Sequence, residues 1–205
     1  MMTLKMRKLA LLALGAALCS CAPGLGRSLG VSPITLSNTE SPSSNSTTAV
    51  QLQLRPFVDN RPSQAIAIID GRDVNSKGDL GDQVKQAFET SLKDRGIDTA
   101  NPNAPIVSGQ ISSWFVRIDP SFPVSSAFAE ATLVIEVSNL SNQVVFTGKY
   151  SGDTVLKHPM LTESRISDAL AQAMAYAIDE ALRDDRLMSQ IQSTAQTTDE
   201  ARSWR

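Results

Sequence analysis

Ala129-Glu130-Ala131-Thr132-Leu133-Val134-Ile135-Glu136-Val137-Ser138 decides the fold. Ala129, Ala131, Leu133, Ile135 and Val137 alternate with Glu130, Thr132, Val134, Glu136 and Ser138. Successive side chains of a strand point to opposite faces, so this run reads as a strand with one buried and one wetter side. Leu140-Ser141-Asn142 makes a short turn after it, and Val144, Phe146 and Tyr150 resume the alternation. Upstream, residues 106–118 are apolar, with a phase shift near Ser112-Ser113 that fits a β-bulge. Three consecutive strands joined by short connections, each with a polar side, imply an antiparallel sheet covered on one face.

Two helical patterns flank this meander. Leu80, Val84, Ala87, Phe88, Ser91 and Leu92 recur at helical spacing, with Asp82, Lys85, Gln86, Glu89 and Lys93 on the opposite side. Glu89 and Lys93 are a favourable i,i+4 pair. Gly96 is suited to end the helix, because it adopts positive φ without steric cost. The expected span is 79–95. A second helix is expected over 163–184, on the stripe Ile166, Leu170, Met174, Ile178 and Leu182. Its alanines at 169, 173, 177 and 181 allow close approach to a sheet, and residues 185–192 are available for one further turn.

Before the first helix, Val50, Leu52 and Leu54 alternate with polar residues, and 66–69 form a second short apolar run. Pro56 ends the first run or places it at an edge, since proline has no N–H to donate. Residues 71–78 read as a polar loop. The expected order is β-β-α-β-β-β-α. The simplest packing is an α+β fold: an antiparallel sheet of about five strands with two helices packed on one face.

The ends of the chain carry a different kind of information. Lys5, Arg7 and Lys8 precede an apolar core at 9–18, then Leu18-Cys19-Ser20-Cys21. That core is half the ~20 residues a spanning helix needs, and its basic flank is that of an exported leader. Leu18 three residues before Cys21 and small Ser20 directly before it form the layout of a bacterial lipoprotein signal. Cys19 fits less well, because bulky Leu18 immediately precedes it. Residues 1–20 are therefore expected to be removed, and Cys21 to be lipidated and to hold the protein at a membrane. Several acyl chains anchor stably where one binds marginally. Ala22, rather than aspartate, follows the cysteine, which in Gram-negative sorting favours the outer membrane. Residues 21–47 read as the lipidated cysteine and a flexible tether rich in Gly, Ser and Thr, with a reach of roughly 28 Å. Within it the apolar run 31–36 is free to dock. The globular domain is expected over 48–192 and a frayed polar tail over 193–205.

Three of the 19 basic residues fall in the leader, so the rest carries 16 basic against 21 acidic residues, a net charge of −5. That balance argues against nucleic acid or anionic lipid headgroups as the main partner, since both need a basic footprint. With Cys21 blocked by lipid, neither a disulfide nor a cysteine metal site is available.

Candidate chemistry is sparse. His158 is the sole histidine, beside Lys157 and Pro159, without a nucleophile elbow to serve. Asp59, Arg61, Asp70, Arg72 and Asp73 form the densest charge group. Asp70 and Asp73 suit a glycan-hydrolysing carboxylate pair, a hold on a divalent ion, or a turn around Gly71 in which aspartates serve the backbone. Asp59 and Arg61 are expected to pair locally. No phosphate loop, metal-ligand cluster or cofactor fingerprint is present, and no catalytic residue is assigned. Trp114, Phe115 and Phe122 form a possible binding surface in the 112–123 region, with one of the adjacent pair facing the core.

The Val31-Ser32-Pro33 start, the Asp59-x-Arg61 step, the helix ending Arg95-Gly96, the meander and a closing helix near Ile166-Ser167-Asp168-Ala169 together resemble the YajG-like family of Gram-negative outer-membrane lipoproteins. The longer Ser/Thr-rich tether and the polar tail depart from its pattern. The resemblance implies a periplasm-facing protein with no enzymatic activity. The expected role is binding or assembly with an envelope protein or peptidoglycan. The alternatives are a peptidoglycan hydrolase using Asp70 and Asp73, and a structural subunit of an envelope complex.

Overall fold

The computed structural model describes residues 27–36, 50–69 and 71–203. The leader, Cys21 and Asp70 lie outside these residues, as do most of the expected tether and the last two residues of the tail.

The meander is built as the alternation predicts, with longer strands. β8 (Ile106–Asp119), β9 (Ser125–Ser138) and β10 (Val144–His158) pair antiparallel in chain order. The register of β8 on β9 shifts between Ile111 and Ser113, the bulge expected there. It returns Trp114 and Val116 to the side of Ile111, where all three are buried. The helices are α1 (Leu80–Asp94) and α2 (Glu163–Arg183), within a residue of their expected ends. Asp79 caps α1 by accepting from the Asp82 amide, and Gly96 leaves it at φ +76°. Thr162 caps α2 by accepting from the Arg165 amide.

The remaining architecture corrects the expected antiparallel sheet of about five strands with two helices. Among the described residues the main sheet has eight strands and is mixed. β3 (Gln53–Leu54), β4 (Val58–Asp59) and β5 (Ala65–Ile69) line up in turn along β8, all parallel to it. Pro56 and Pro62, which lack a donor for a ladder, separate these pieces. β6 (Arg72–Lys77) pairs antiparallel with β5, and β1 (Arg27–Gly30) pairs parallel with β6. β2 (Val50–Gln51) and β7 (Ile97–Asp98) form a separate parallel pair. The path across the main sheet is β1-β6-β5-β8-β9-β10. Parallel neighbours need a long crossover, and the stretch from β6 through α1 to β7 supplies one between β5 and β8. The alternation says which side chains go inward. It does not say which strand lies alongside or in which direction.

Three segment assignments change with it. Residues 71–78, expected as a polar loop, hold β6. The expected tether contains β1, with Leu29 buried; residues 31–36 dock behind it as their apolar run suggests, with Val31, Ile34 and Leu36 against the core. The polar end is helical: α3 (Asp185–Ser203) continues after a break at Asp184. Asp184 is extended (ψ 105°) and accepts from the Arg186 amide, so it closes α2 and opens α3.

One core joins all three helices to one face of the sheet. Val84, Phe88 and Leu92 of α1, Leu170, Met174 and Ile178 of α2, and Leu187 and Ile191 of α3 share one cluster with the inward residues of β8 and β9, Phe88 packing edge-on against Phe57. Gly152 on β10 lies under α2: a Cβ there would run into the Ala173 carbonyl and the Ala177 amide. The alanines of α2 and this glycine set the spacing of the two layers.

Candidate functional site

The sheet face away from the helices is open among the described residues. The bulge at Ser112 places Ser113, Phe115 and Arg117 there, across from Thr132, Glu130 and Phe128 of β9. β10 continues the rows with Ser151, Asp153 and Val155. The Arg117 guanidinium lies 5.0 Å from the centre of the Phe128 ring, a cation–π contact. Ile68 stands one residue past the Ala67–Val116 pair and is exposed, as is Val155 at the far side of the same row. The result is an apolar strip of Ile68, Phe115, Phe128 and Val155 around one arginine, bordered by Glu130 and Asp153. The Glu130 carboxylate accepts from the Ser113 hydroxyl at 3.2 Å.

The three aromatics expected to form a surface separate. Trp114 is 1% exposed, and its indole Nε1 donates to the Leu170 carbonyl of α2 at 2.9 Å. It belongs to the core. Phe115 is half-buried on the open face. Phe122 is 98% exposed at the tip of the β8–β9 hairpin. Two rows of side chains separate it from Phe115, so the two do not form one patch. Val124 beside it and Met160 just past β10 are exposed at the same end, because His158 pairs with Ser125.

The polar candidates are accounted for locally. Arg61 is buried and forms a two-pronged pair with Asp59: Nε to Oδ1 and Nη2 to Oδ2, both 2.8 Å. Its Nη1 also donates to the carbonyls of Ala65 and Trp114. The Arg61 guanidinium hydrogen-bonded to Asp59 holds that carboxyl below the usual carboxylate range. This pair ties the β4–β5 connection to β8, as its spacing suggests. Asp73 is exposed on β6 opposite Ile68. The His158 ring nitrogen Nδ1 meets the backbone of Met160. Among the described residues no three His, Cys, Asp or Glu side chains cluster to hold a metal.

Three features had no counterpart in the sequence patterns. Buried Ser167 accepts from the Ser32 amide and donates to the Gly30 carbonyl, each at 2.6 Å, while the Ser32 hydroxyl donates to Asp168. This latch holds the start of the described chain on α2. Beside it lies a groove of about 530 Å³ between residues 32–36 and α2, with Ser32, Leu36, Asp168, Ala175, Tyr176 and Arg183 along it. At the other end of α2, the Tyr150 hydroxyl donates to Asp184 at 2.9 Å. Burial, then that carboxylate, push the Tyr150 pKa up, and the Arg186 bond, with Tyr150 helping, holds Asp184 down. No sequence period reports such contacts. Phe128 was within reach, since it falls in phase with Glu130 and Thr132 once the strand is extended.

Three solved structures resemble the chain. A Xanthomonas campestris protein matches with a TM-score of 0.50 at 11% identity, over 88% of this chain and 100% of that one. A minor lipoprotein of Acinetobacter baumannii matches at 0.41 and 10% identity, over 69% of this chain and 94% of that one. A Chlamydia trachomatis protein matches at 0.45 and 7%, over 72% and 98%. No curated protein matches. A family model described as "Uncharacterized lipoprotein" matches residues 36–192, from the docked N-terminal segment to α3. The chain belongs to that lipoprotein family.

Proposed function

We propose that this lipoprotein is anchored through Cys21 in the outer membrane, faces the periplasm, and binds a cell-envelope component through its open sheet face without catalysing a reaction. The membership is in keeping with the leader layout, and the finer likeness to the YajG-like family belongs with this reading. The observation that carries it is the open face itself. β8, β9 and β10 have 14, 14 and 15 residues, against a usual ~5–6 for strands. At ~3.3 Å per residue they extend roughly 45 Å. All three helices lie on the other face, and the strip around Phe115 and Phe128 is the apolar part of what is left uncovered. The net charge of −5 after leader removal favours a protein or glycan over an anionic polymer.

A photoreactive residue at position 115, in intact cells, tests the surface. Adducts are expected from position 115 and not from position 86 on the outer side of α1. An adduct containing sugar identifies peptidoglycan; a protein adduct identifies an assembly partner. Equal yields from the two positions would remove the open face from the proposal. The anchor is tested separately: Cys21→Ser is expected to leave the leader uncleaved at this site and the protein without acyl chains.

A further inference from the structure

We propose that the end of the sheet bearing Phe122, Val124 and Met160 rests in the phospholipid surface, as a second, apolar membrane contact beside the lipid anchor. The inference rests on the anchor at Cys21. Single exposed apolar residues are ordinary on protein surfaces; what distinguishes these three is where they stand relative to the chain's point of attachment.

Strand directions fix that relation. β8 runs toward the 120–124 tip and β10 runs the same way, ending with Met160 beside it. β5 is parallel to β8, so the turn from β5 to β6 also lies at this end. β6 runs away from it, and β1 is parallel to β6, with Arg27 opposite Val74 and Gly30 opposite Lys77. The chain therefore enters the sheet from the tip end and travels away from it. The Ser32–Ser167–Asp168 latch holds it there. Only residues 22–26 separate Cys21 from Arg27, and six peptide steps reach at most about 20 Å. Arg27 lies level with Val116, at the β1 edge of the sheet. The acylated cysteine therefore lies within about 20 Å of the point where the chain enters the sheet from the tip side, and a bilayer that holds its chains meets the tip end when the link runs on in the line of β1.

The chemistry of the tip fits lipid. Phe122 is 98% exposed, Met160 68% and Val124 38%. Pro120, Pro123 and Pro159 lie among them, and all three prolines are exposed. Such side chains gain by leaving water for the acyl boundary, and a few of them add to an anchor already in place.

The test uses the full lipidated protein in phosphatidylethanolamine–phosphatidylglycerol vesicles. The processed chain has no thiol besides Cys21, so Phe122→Cys can carry a single environment-sensitive fluorophore. Ser141→Cys, in the turn at the opposite end of the sheet, is the reference. Both positions are exposed, so the fold tolerates either change. The label at 122 is expected to brighten, shift to the blue and resist aqueous iodide several-fold better than the label at 141. Equal quenching of the two labels in floated vesicles would overturn the proposal while leaving the anchor intact. Protection that grows with protein density in the bilayer would also overturn it, in favour of contact between copies. Failure of the acylated chain to float would remove the anchor, and the second contact with it.

Discussion

At the scale of single residues, the Asp59–Arg61 pair and the Trp114–Phe115 step show how far local chemistry can be read. Two residues apart across a turn, Asp59 and Arg61 were candidates to pair, and they do. That the guanidinium is also buried against the Ala65 and Trp114 carbonyls depends on β5 and β8 converging there. Removing the carboxylate would leave a buried cation with neutral acceptors only. Asp59→Asn is expected to lower stability by about 3 kcal/mol at pH 7, read from urea unfolding. The pH dependence follows from the lowered Asp59 pKa. Its contribution is complete above the unfolded value near 3.9 and fades as pH falls through the lower folded value. The gap between native protein and variant should therefore narrow below about pH 4; a constant gap down to pH 2 would assign the loss to packing. For Trp114 and Phe115, strand alternation required opposite faces, but the assignment of each depended on the bulge at Ser112. A one-residue shift in phase exchanges the two sides.

At the scale of elements, the helix and strand periods located α1, α2 and the meander because each turns one side toward the core, although the start of β10 stays exposed. The short pieces were harder. β3, β4 and β5 have two to five residues each, too few for a period, and prolines interrupt them. β6 carries Arg72, Asp73, Asn75, Ser76 and Lys77, a composition that reads as loop; its pairing with β5 and β1 makes it a strand. The contact between α2 and β10 gives a direct test. Gly152→Ala is expected to cost about 1–3 kcal/mol, since α2 must move off its backbone. Gly30→Ala, where a Cβ meets open space, should change stability little. Thermal unfolding of both variants checks this, and equal midpoints would show that the layers are not set at Gly152. Pairing also predicts exchange rates. β9 is bonded on both sides by β8 and β10, whereas β10 is the last strand on its edge. Its Ser151 amide finds only the Glu180 carboxylate of α2 at 2.7 Å. Outward β10 amides, residue 151 apart, should exchange with deuterium well before those of β9.

At the scale of the whole molecule, the N-terminal segment is the main correction, and it bears on function. A flexible tether from residue 21 to 47 would have let the domain hang at any angle. Instead β1 completes the sheet edge and residues 28–36 bury Leu29 and part of Val31, Ile34 and Leu36. A domain starting at residue 48 is therefore expected to be less stable than one starting at residue 27 by about 2–4 kcal/mol, on the burial of Leu29 and its neighbours. Equal urea midpoints for the two would show that β1 adds nothing. The same docking leaves only residues 22–26 between the proposed anchor at Cys21 and the sheet. In the proposed arrangement, with the tip end at the bilayer, the long strands point away from it and the open face stands in the space beyond.

The sequence by itself determined the inward and outward side chains of residues 129–138, the two amphipathic helices with the glycine that ends the first, and the basic, apolar and cysteine pattern of the N-terminus. These are local properties: a period of 2.0 or 3.6, a capping residue, a charge followed by a greasy run. Tertiary structure alone decided that β3, β4 and β5 run parallel to β8, that polar residues 72–77 form a strand, and that the first docked residues belong to the sheet. Each depends on which distant backbone satisfies a segment's hydrogen bonds. Those donors and acceptors are the same for every residue except proline, so the sequence carries almost no mark of the partner they find.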